Sequence, residues 1–72
     1  MSEQPDRLIC KLIEKLGDRD PITRRNAAGA LRLHGSRAVA AIPALTKLLD
    51  DEDPRVREEA ERAVIRLRAA AA

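Results

Sequence analysis

Aromatic residues are absent from this sequence of 72 residues, and cysteine and histidine occur only once each. Without aromatic side chains, a core must be built from leucine, isoleucine, valine and alanine, which offer few groups that could grip a small ligand. A single cysteine cannot form an intramolecular disulfide, and one cysteine with one histidine does not make a metal-ligand set. We therefore expect no cofactor, no metal and no small-molecule substrate.

Long apolar runs are also missing. No stretch of 18 apolar residues is present, and the N-terminal sequence MSEQPDR lacks the basic start and the apolar segment of a signal peptide. We therefore expect a cytoplasmic protein that has no membrane partner. The 14 basic and 12 acidic residues describe a solvated surface and not the strongly basic surface of a typical nucleic-acid binder.

Two segments, here named A1 and A2, show the apolar spacing of amphipathic helices. Ser2 and Pro5 mark the start of A1, and Gly17 suits a left-handed C-cap at its end. Ser36 is the predicted N-cap of A2, and Pro43 predicts either a bend or a later helix start. The residues predicted to face inward are Leu8, Ile9, Leu12, Ile13 and Leu16 in A1, and Ala38, Ala41, Ile42, Leu45, Leu48 and Leu49 in A2.

Two further segments, B1 and B2, open with an aspartate N-cap followed by a proline at the first helical position. These pairs are Asp20-Pro21 and Asp53-Pro54, and Gly35 closes B1 as a C-cap. Because no run of residues alternates with a period of two, we predict no strand and an all-α fold. The inward residues are Ile22, Ala27, Ala30, Leu31 and Leu33 in B1, and Val56, Ala60, Ala63, Val64 and Leu67 in B2.

The chain contains an internal repeat, which becomes visible when the sequence is shifted along itself until Pro21 meets Pro54. We divide the single domain, residues 1–72, into repeat 1 at about 5–34 and repeat 2 at about 37–68, followed by an alanine tail that we expect to fray. The same shift aligns Ile9 with Ile42, Leu12 with Leu45, Leu16 with Leu49, Asp18 with Asp51, Asp20 with Asp53, Arg24 with Arg57, Ala27 with Ala60, and Ala30 with Ala63.

Repeat 2 carries a specific motif. Its segment AIPALTKLLDDEDPRVREEAERAVIRL resembles the HEAT-like repeats first recognised in phycobilisome lyases, with the pattern P-x-L-x-x-L-L-x-D-x-D-P-x-V-R-x-x-A-x-x-A. Repeat 1 departs from it at Thr23, which replaces valine, and at His34, which aligns with Leu67. Ankyrin and tetratricopeptide repeats have similar periods, but the first uses a T-P-L-H turn and the second aromatic residues. The resemblance, over about residues 8–67, implies an α-α superhelix built from four helices in two antiparallel hairpins.

The resemblance also implies roles for the repeated charges. In families that this chain resembles, the arginine equivalent to Arg24 and Arg57 joins a ladder of Asp and Arg side chains between neighbouring repeats. We expect Arg57 to pair with Asp18 or Asp20 of the preceding repeat. Helix capping explains the crowded aspartates better than a calcium loop or a catalytic carboxylate pair does. The predicted ladder and cap residues are Asp18, Asp20, Arg24, Asp51, Asp53 and Arg57.

Arginines on the B helices form the candidate partner-binding surface, because B helices typically line the concave side of such solenoids. Three interpretations stay open: a solvated face with local ion pairs such as Glu58 to Arg62 and Arg57 to Glu61, a grip for an acidic protein, or a phosphate-binding stripe for nucleic acid. Ile65 points away from the B2 core, as an ordinary exposed residue or as a contact with another chain. The candidate partner-binding residues are Arg24, Arg25, Arg32, Arg62, Arg66, Arg68 and Ile65.

The number of repeats favours an assembly function. A solenoid usually needs about three repeats before it is stable alone, and this chain has two. We therefore predict a non-catalytic interaction module that completes its core by self-association, as a symmetric dimer or higher oligomer, or by docking on a partner protein. The alternatives are a nucleic-acid accessory that uses the B arginines and a subunit of a larger enzyme, such as a chromophore lyase. We expect His34 to be structural and Cys10 to be half-buried at a helix edge.

Overall fold

A computed structural model describes residues 6–72 of the chain, and in this range the chain is helical with no strand. The all-α prediction is therefore confirmed. In chain order the elements are α1 (Arg7–Lys15), α2 (Pro21–His34), a 3-10 helix (Gly35–Ala41), α3 (Ile42–Lys47), a second 3-10 helix (Leu48–Asp50) and α4 (Pro54–Ala71).

Helices α2 and α4 begin where the aspartate-proline signals predict. The Asp20 carboxylate accepts a hydrogen bond from the Ile22 backbone N–H at 2.9 Å, and the Asp53 carboxylate accepts one from the Arg55 N–H at 2.8 Å. Proline occupies the first turn of both helices, where its missing N–H leaves no hydrogen bond unmade. These local signals therefore determine both starts.

Both predicted ends of A1 need comment. The N-cap of α1 is Asp6, whereas Ser2 and Pro5, which we predicted to mark the start, lie outside the described residues. The left-handed C-cap predicted at Gly17 is wrong, because this glycine has no positive φ. Helix α1 ends instead in a right-handed turn, in which the Gly17 N–H donates to the Glu14 carbonyl oxygen at 3.1 Å.

Segment A2, predicted as a helix capped by Ser36 with a bend or a later start at Pro43, is divided into the two 3-10 helices and α3. Gly35 is the C-cap of α2 with φ 60° and ψ −131°, as its predicted role requires. Ser36 is not an N-cap, because it lies inside the first 3-10 helix, whose N-cap is His34 and which has no side-chain cap hydrogen bond. Pro43 lies in the first turn of α3, which confirms the later helix start and not the bend.

Helix α4 continues through the alanine tail to Ala71, so the tail is helical, and its fraying stays a prediction. Alanine has the highest intrinsic helix propensity, and nothing in the tail interrupts the helix. Helix α4 packs on α2, on α3 and on the 3-10 helices, while α1 packs on α2 and on the first 3-10 helix. Every residue that we predicted to face inward on B2 is buried, and Ile65 is 64% exposed. Helix α4 is thus the central element of the fold.

The orientation predicted for B1 is partly wrong. Ala27 and Leu31 are buried as expected, but Ile22 is 47% and Leu33 is 72% exposed. At about 100° per residue, both exposed residues point roughly opposite to Leu31. The set of inward residues predicted for B1 therefore combined two faces of the helix. The buried arc of α2 also contains Ala28, which is fully buried and was not predicted.

The core is aliphatic and contains residues from every helix. Leu8, predicted to face inward on A1, is 50% exposed at the edge of the apolar arc of α1. The buried apolar residues are Ile9, Leu16, Ala27, Ala28, Leu31, Ala38, Ala41, Leu45, Leu48, Val56, Ala60, Ala63, Val64 and Leu67, and the partly buried ones packed on them include Leu12, Ile13, Ile42 and Leu49.

Candidate interaction surfaces

A bidentate ion pair joins the two repeats. Arg24 on α2 donates from Nε to Asp51 Oδ1 at 2.9 Å and from Nη2 to Asp51 Oδ2 at 3.0 Å. The two side chains are only 10% and 8% exposed. A planar guanidinium that meets both carboxylate oxygens is among the strongest and most directional polar contacts in proteins. We call this contact the first rung.

The first rung also fixes the turns on both sides of it. Arg24 Nη1 donates to the carbonyl oxygens of Asp18 at 2.7 Å and Arg19 at 3.0 Å. Asp51 Oδ2 also accepts from the Asp53 backbone N–H at 2.9 Å. The Arg24 guanidinium holds the pKa of Asp51 below its ordinary value, and this carboxylate in turn raises the pKa of Arg24. One arginine therefore ties the turn after α1 to the turn before α4.

The direction of the ladder is the reverse of our prediction. Arg57 does not pair with Asp18 or Asp20; its Nη1 donates to the Asp51 carbonyl oxygen at 2.7 Å. An arginine in this ladder reaches the aspartate of the following repeat, as Arg24 reaches Asp51, because its side chain lies on the face of α2 that receives α4. Within residues 6–72, Arg57 has no carboxylate in an ion pair.

A second rung joins α2 and α4. Arg32 Nε donates to Glu59 Oε2 at 2.9 Å, and the two side chains are 31% and 15% exposed. Gly29 makes room for this contact, because a Cβ atom there would lie 3.3 Å from the same Glu59 oxygen. Glu59 was not among the predicted ladder residues, although it follows Arg32 at the same spacing at which Asp51 follows Arg24, and this shared spacing could have identified it.

The candidate B-helix arginines do not form one continuous exposed stripe. Arg24 and Arg32 are engaged in the rungs, and Arg24 is buried. Arg25 is half-buried beside a groove of about 370 Å³ between α2 and α4, whereas Arg66 and Arg68 are exposed. Arg24 therefore has the ladder role that was also predicted for it, and Arg32, which we proposed for partner binding alone, also holds the repeats together.

Acidic side chains accompany Arg62 on α4. Arg62 lies 3.7 Å from Glu58, which confirms that predicted ion pair, and 3.8 Å from Glu59. The second predicted pair, between Arg57 and Glu61, does not form in the described residues. Because both Arg62 and Glu58 are largely exposed, their contact contributes little to stability. This face carries mixed charge.

The remaining candidate groups have local roles. Cys10 is exposed, so its predicted half-buried position is wrong, and His34 is half-buried at the end of α2. The Arg55 side chain and backbone N–H lower the pKa of Asp53 to about 2, as expected for a helix cap paired with arginine. Asp6 pairs with Arg37. In the part of the chain that the structure describes, no three His, Cys, Asp or Glu side chains are grouped as metal ligands.

The C-terminal side of repeat 2 carries an open groove of about 620 Å³ beside Arg57, lined also by Leu49, Pro54, Glu58 and Glu61. Its repeat-1 equivalents include Leu16 and Ala28, which are 3% and 0% exposed. The groove thus lies on the face of repeat 2 that corresponds to the face of repeat 1 covered by its neighbour. We call this face the C-end.

The opposite side of the molecule, on repeat 1, is the N-end. Leu8 is 50% exposed there, whereas its equivalent in repeat 2, Ala41, is fully buried. Asp18 is exposed, whereas its equivalent, Asp51, is nearly covered by the first rung. The N-end therefore exposes positions that are buried where two repeats meet.

Comparison with known families agrees with this repeat architecture. A family model described as HEAT repeats matches residues 9–72, so the chain belongs to the HEAT repeat family. HEAT repeats generally mediate protein interactions or act as scaffolds, and the family is generally non-enzymatic. No curated protein and no solved structure matches the chain. The more specific resemblance to the phycobilisome-lyase repeats remains a prediction. Within residues 6–72, no helix has the length and hydrophobicity needed to span a bilayer.

Proposed function

We propose that this chain is a protein-interaction module in which two HEAT repeats stack as a short superhelix and bind further protein through the two open ends of the stack. The observation that carries this proposal is the difference in burial between equivalent positions of the repeats. Arg24 is buried and its equivalent Arg57 is exposed, while Ala41 is buried and its equivalent Leu8 is half exposed. Each end therefore displays a surface of the kind that the chain itself covers with another repeat.

Self-association is the form of binding that we propose. A domain of this size buries only about 60% of its unfolded surface, so covering further apolar area would stabilise it appreciably. The largest candidate anchor is Ile65, which is 64% exposed and occupies the repeat position of Arg32 in the second rung. An aliphatic side chain at a position that faces the next repeat favours a covered state.

Nucleic-acid binding is the less supported alternative. A phosphate-binding stripe needs several unpaired arginines in a row. Arg24, Arg32 and Arg62 instead have acidic partners in this fold. Protein binding is therefore the proposal that the charges favour, and we propose no catalytic role for the chain.

The test measures molar mass by light scattering over a wide range of concentration while circular dichroism follows helicity. We expect the mass to increase with concentration and Ile65→Glu to weaken the association. Leu33→Glu is the matched control, because Leu33 is 72% exposed. Its repeat-2 equivalent, Arg66, is exposed although repeat 1 packs against repeat 2, so this position lies outside the contact between repeats. A helical monomer at all concentrations would rule out self-association, and equal effects of both variants would remove Ile65 as the anchor.

A further inference from the structure

We propose that copies of this chain bind head to tail, with Arg57 at the C-end of one copy pairing with Asp18 at the N-end of the next. The contact would repeat the first rung, in which Arg24 pairs with Asp51. This inference rests on the proposed self-association and specifies its geometry: an interface between two different surfaces and not a symmetric dimer.

The donor of this contact already has the required position. Arg57 Nη1 donates to the Asp51 carbonyl oxygen at 2.7 Å, as Arg24 Nη1 donates to the Asp18 carbonyl oxygen at 2.7 Å. In Arg24 this bond leaves Nε and Nη2 directed at the carboxylate of the following repeat. In Arg57 the same two nitrogens have no hydrogen bond within residues 6–72. Arg57 thus makes one of the two carbonyl contacts that orient Arg24, and its Nε and Nη2 remain available to donate to a carboxylate.

The acceptor is prepared in the same way. Asp18 Oδ1 accepts from the Asp20 backbone N–H at 2.9 Å, as Asp51 Oδ2 accepts from the Asp53 N–H at 2.9 Å. This local bond fixes the carboxylate of Asp51 where Arg24 can reach both oxygens. Because Asp18 is exposed and makes no ion pair within the described residues, the corresponding oxygens are open to an arginine from another copy.

Shape agrees with charge at the C-end. The groove lined by Leu49 and Arg57 has repeat-1 equivalents in Leu16 and Arg24, which repeat 2 covers. A second copy bound through its N-end would place the α1–α2 turn, which holds Asp18, where the turn before α4 lies in the internal joint. The groove would then be covered as its repeat-1 equivalent is.

The second rung cannot form between copies. Ile65 stands at the position of Arg32, and Asn26 stands at the position of Glu59. Isoleucine and asparagine are uncharged and cannot form an ion pair. The contact between copies therefore has one ionic rung, whereas the internal joint has two. We therefore expect association that is weaker than the internal joint, reversible and sensitive to salt.

The decisive experiment uses two single variants and their mixture, followed by light scattering at several concentrations. Arg57→Glu disables the C-end and leaves the N-end intact. Asp18→Asn disables the N-end, and its amide oxygen can still accept from the Asp20 N–H. Each variant alone should raise the concentration of half-association at least about tenfold, because one member of a charge pair is removed. Asp50→Asn, an exposed neighbour of the first rung, is the control and should associate as the original chain does.

The equimolar mixture distinguishes the geometries. Its two intact ends can form one contact, Arg57 of the Asp18→Asn chain with Asp18 of the Arg57→Glu chain, so growth should stop at a heterodimer. A mixture that associates no better than its components overturns the head-to-tail proposal. The head-to-tail proposal is also overturned if the original chain associates and neither substitution changes that association. In that case the proposed function stands, with a different interface. If the original chain stays monomeric, the head-to-tail proposal and the proposed self-association both fail. Circular dichroism confirms that each variant is folded, and Arg57→Gln replaces Arg57→Glu if that variant is not.

Discussion

Replacing Asp51 with asparagine should destabilise the fold much more than the same replacement one repeat earlier, at Asp18. Asparagine fits the space of Asp51, but one of its terminal atoms is a donor. If the oxygen of the asparagine stays where it accepts from both Arg24 Nη2 and the Asp53 N–H, the amide nitrogen lies next to the Arg24 Nε–H. Two donors then face each other. One hydrogen bond to a charged group is then lost, and the buried guanidinium lacks its counter-charge.

The magnitude follows from the geometry around Asp51. A hydrogen bond to a charged partner contributes about 1.5–3 kcal/mol, and breaking a buried ion pair outright costs about 3–5 kcal/mol. Because asparagine retains part of the contact, we expect a loss of about 2–3 kcal/mol from the free energy of unfolding. A domain of this length has about 4–11 kcal/mol in total, so the effect is large. Asp18→Asn removes no ion pair within the described residues, and exposed substitutions of that kind change stability by less than about 0.5 kcal/mol.

Urea unfolding followed by helicity measures both variants. The protein concentration should be low enough for the chain to be monomeric, so that association does not add to the measured free energy. The slope with urea should stay unchanged while the midpoint of Asp51→Asn falls. Equal midpoints for the two variants would refute the reasoning, because they would mean that the first rung does not stabilise the joint between repeats.

Three further predictions concern the backbone, the core and pH. Gly35→Ala should destabilise by about 1–3 kcal/mol, because φ 60° with ψ −131° is open only to glycine, whereas Gly17→Ala should be neutral or stabilising in thermal unfolding. Leu31→Ala should cost about 2–5 kcal/mol in urea unfolding because Leu31 is fully buried, and Leu33→Ala should cost little at 72% exposure. The pKa of Asp51 is lowered by folding, so its contribution is complete above about pH 4 and is lost as the pH falls through the folded value. Asp51→Asn should therefore flatten the loss of stability in acid, and an unchanged acid profile would contradict this assignment.

Signals that act over a few residues were readable from the sequence. The aspartate-proline starts of α2 and α4 depend on a hydrogen bond to an N–H two residues away, so no distant contact can override them easily. The repeat offset was predicted from the residues that match when the sequence is shifted along itself. The inward face of α4 was predicted because α4 has neighbours along one arc only. The outward position of Ile65 follows from the same arc.

Features set by tertiary packing were not readable in the same way. Ile22 and Leu33 are apolar, but the face of α2 that becomes buried is the one that receives α4. The direction of the first rung likewise depends on which side of Arg24 the following repeat occupies. A pattern of repeated aspartates and arginines is compatible with either direction, and only the stacked arrangement distinguishes them.

The sequence supplied the composition of the candidate surface and not its organisation. Arg24 and Arg32 were placed with the partner-binding arginines because they cluster with Arg25 on the predicted outer face of B1. Their acidic partners lie in the other repeat, at a separation along the chain that a helical wheel does not represent. The two open ends became visible only when equivalent positions of the repeats could be compared for burial.

The most direct test of the central claim, that the two ends of the chain are the two halves of its internal joint, is to build the missing second rung. In Ile65→Arg/Asn26→Glu the two new charges occupy the positions of Arg32 and Glu59, and light scattering compares this double variant with both single variants. We predict that the double variant associates more tightly than the singles combined, by about fivefold, because a partly exposed ion pair contributes up to about 1 kcal/mol. If the effects of the two single substitutions are additive, the account is contradicted, because the two positions then do not meet between copies.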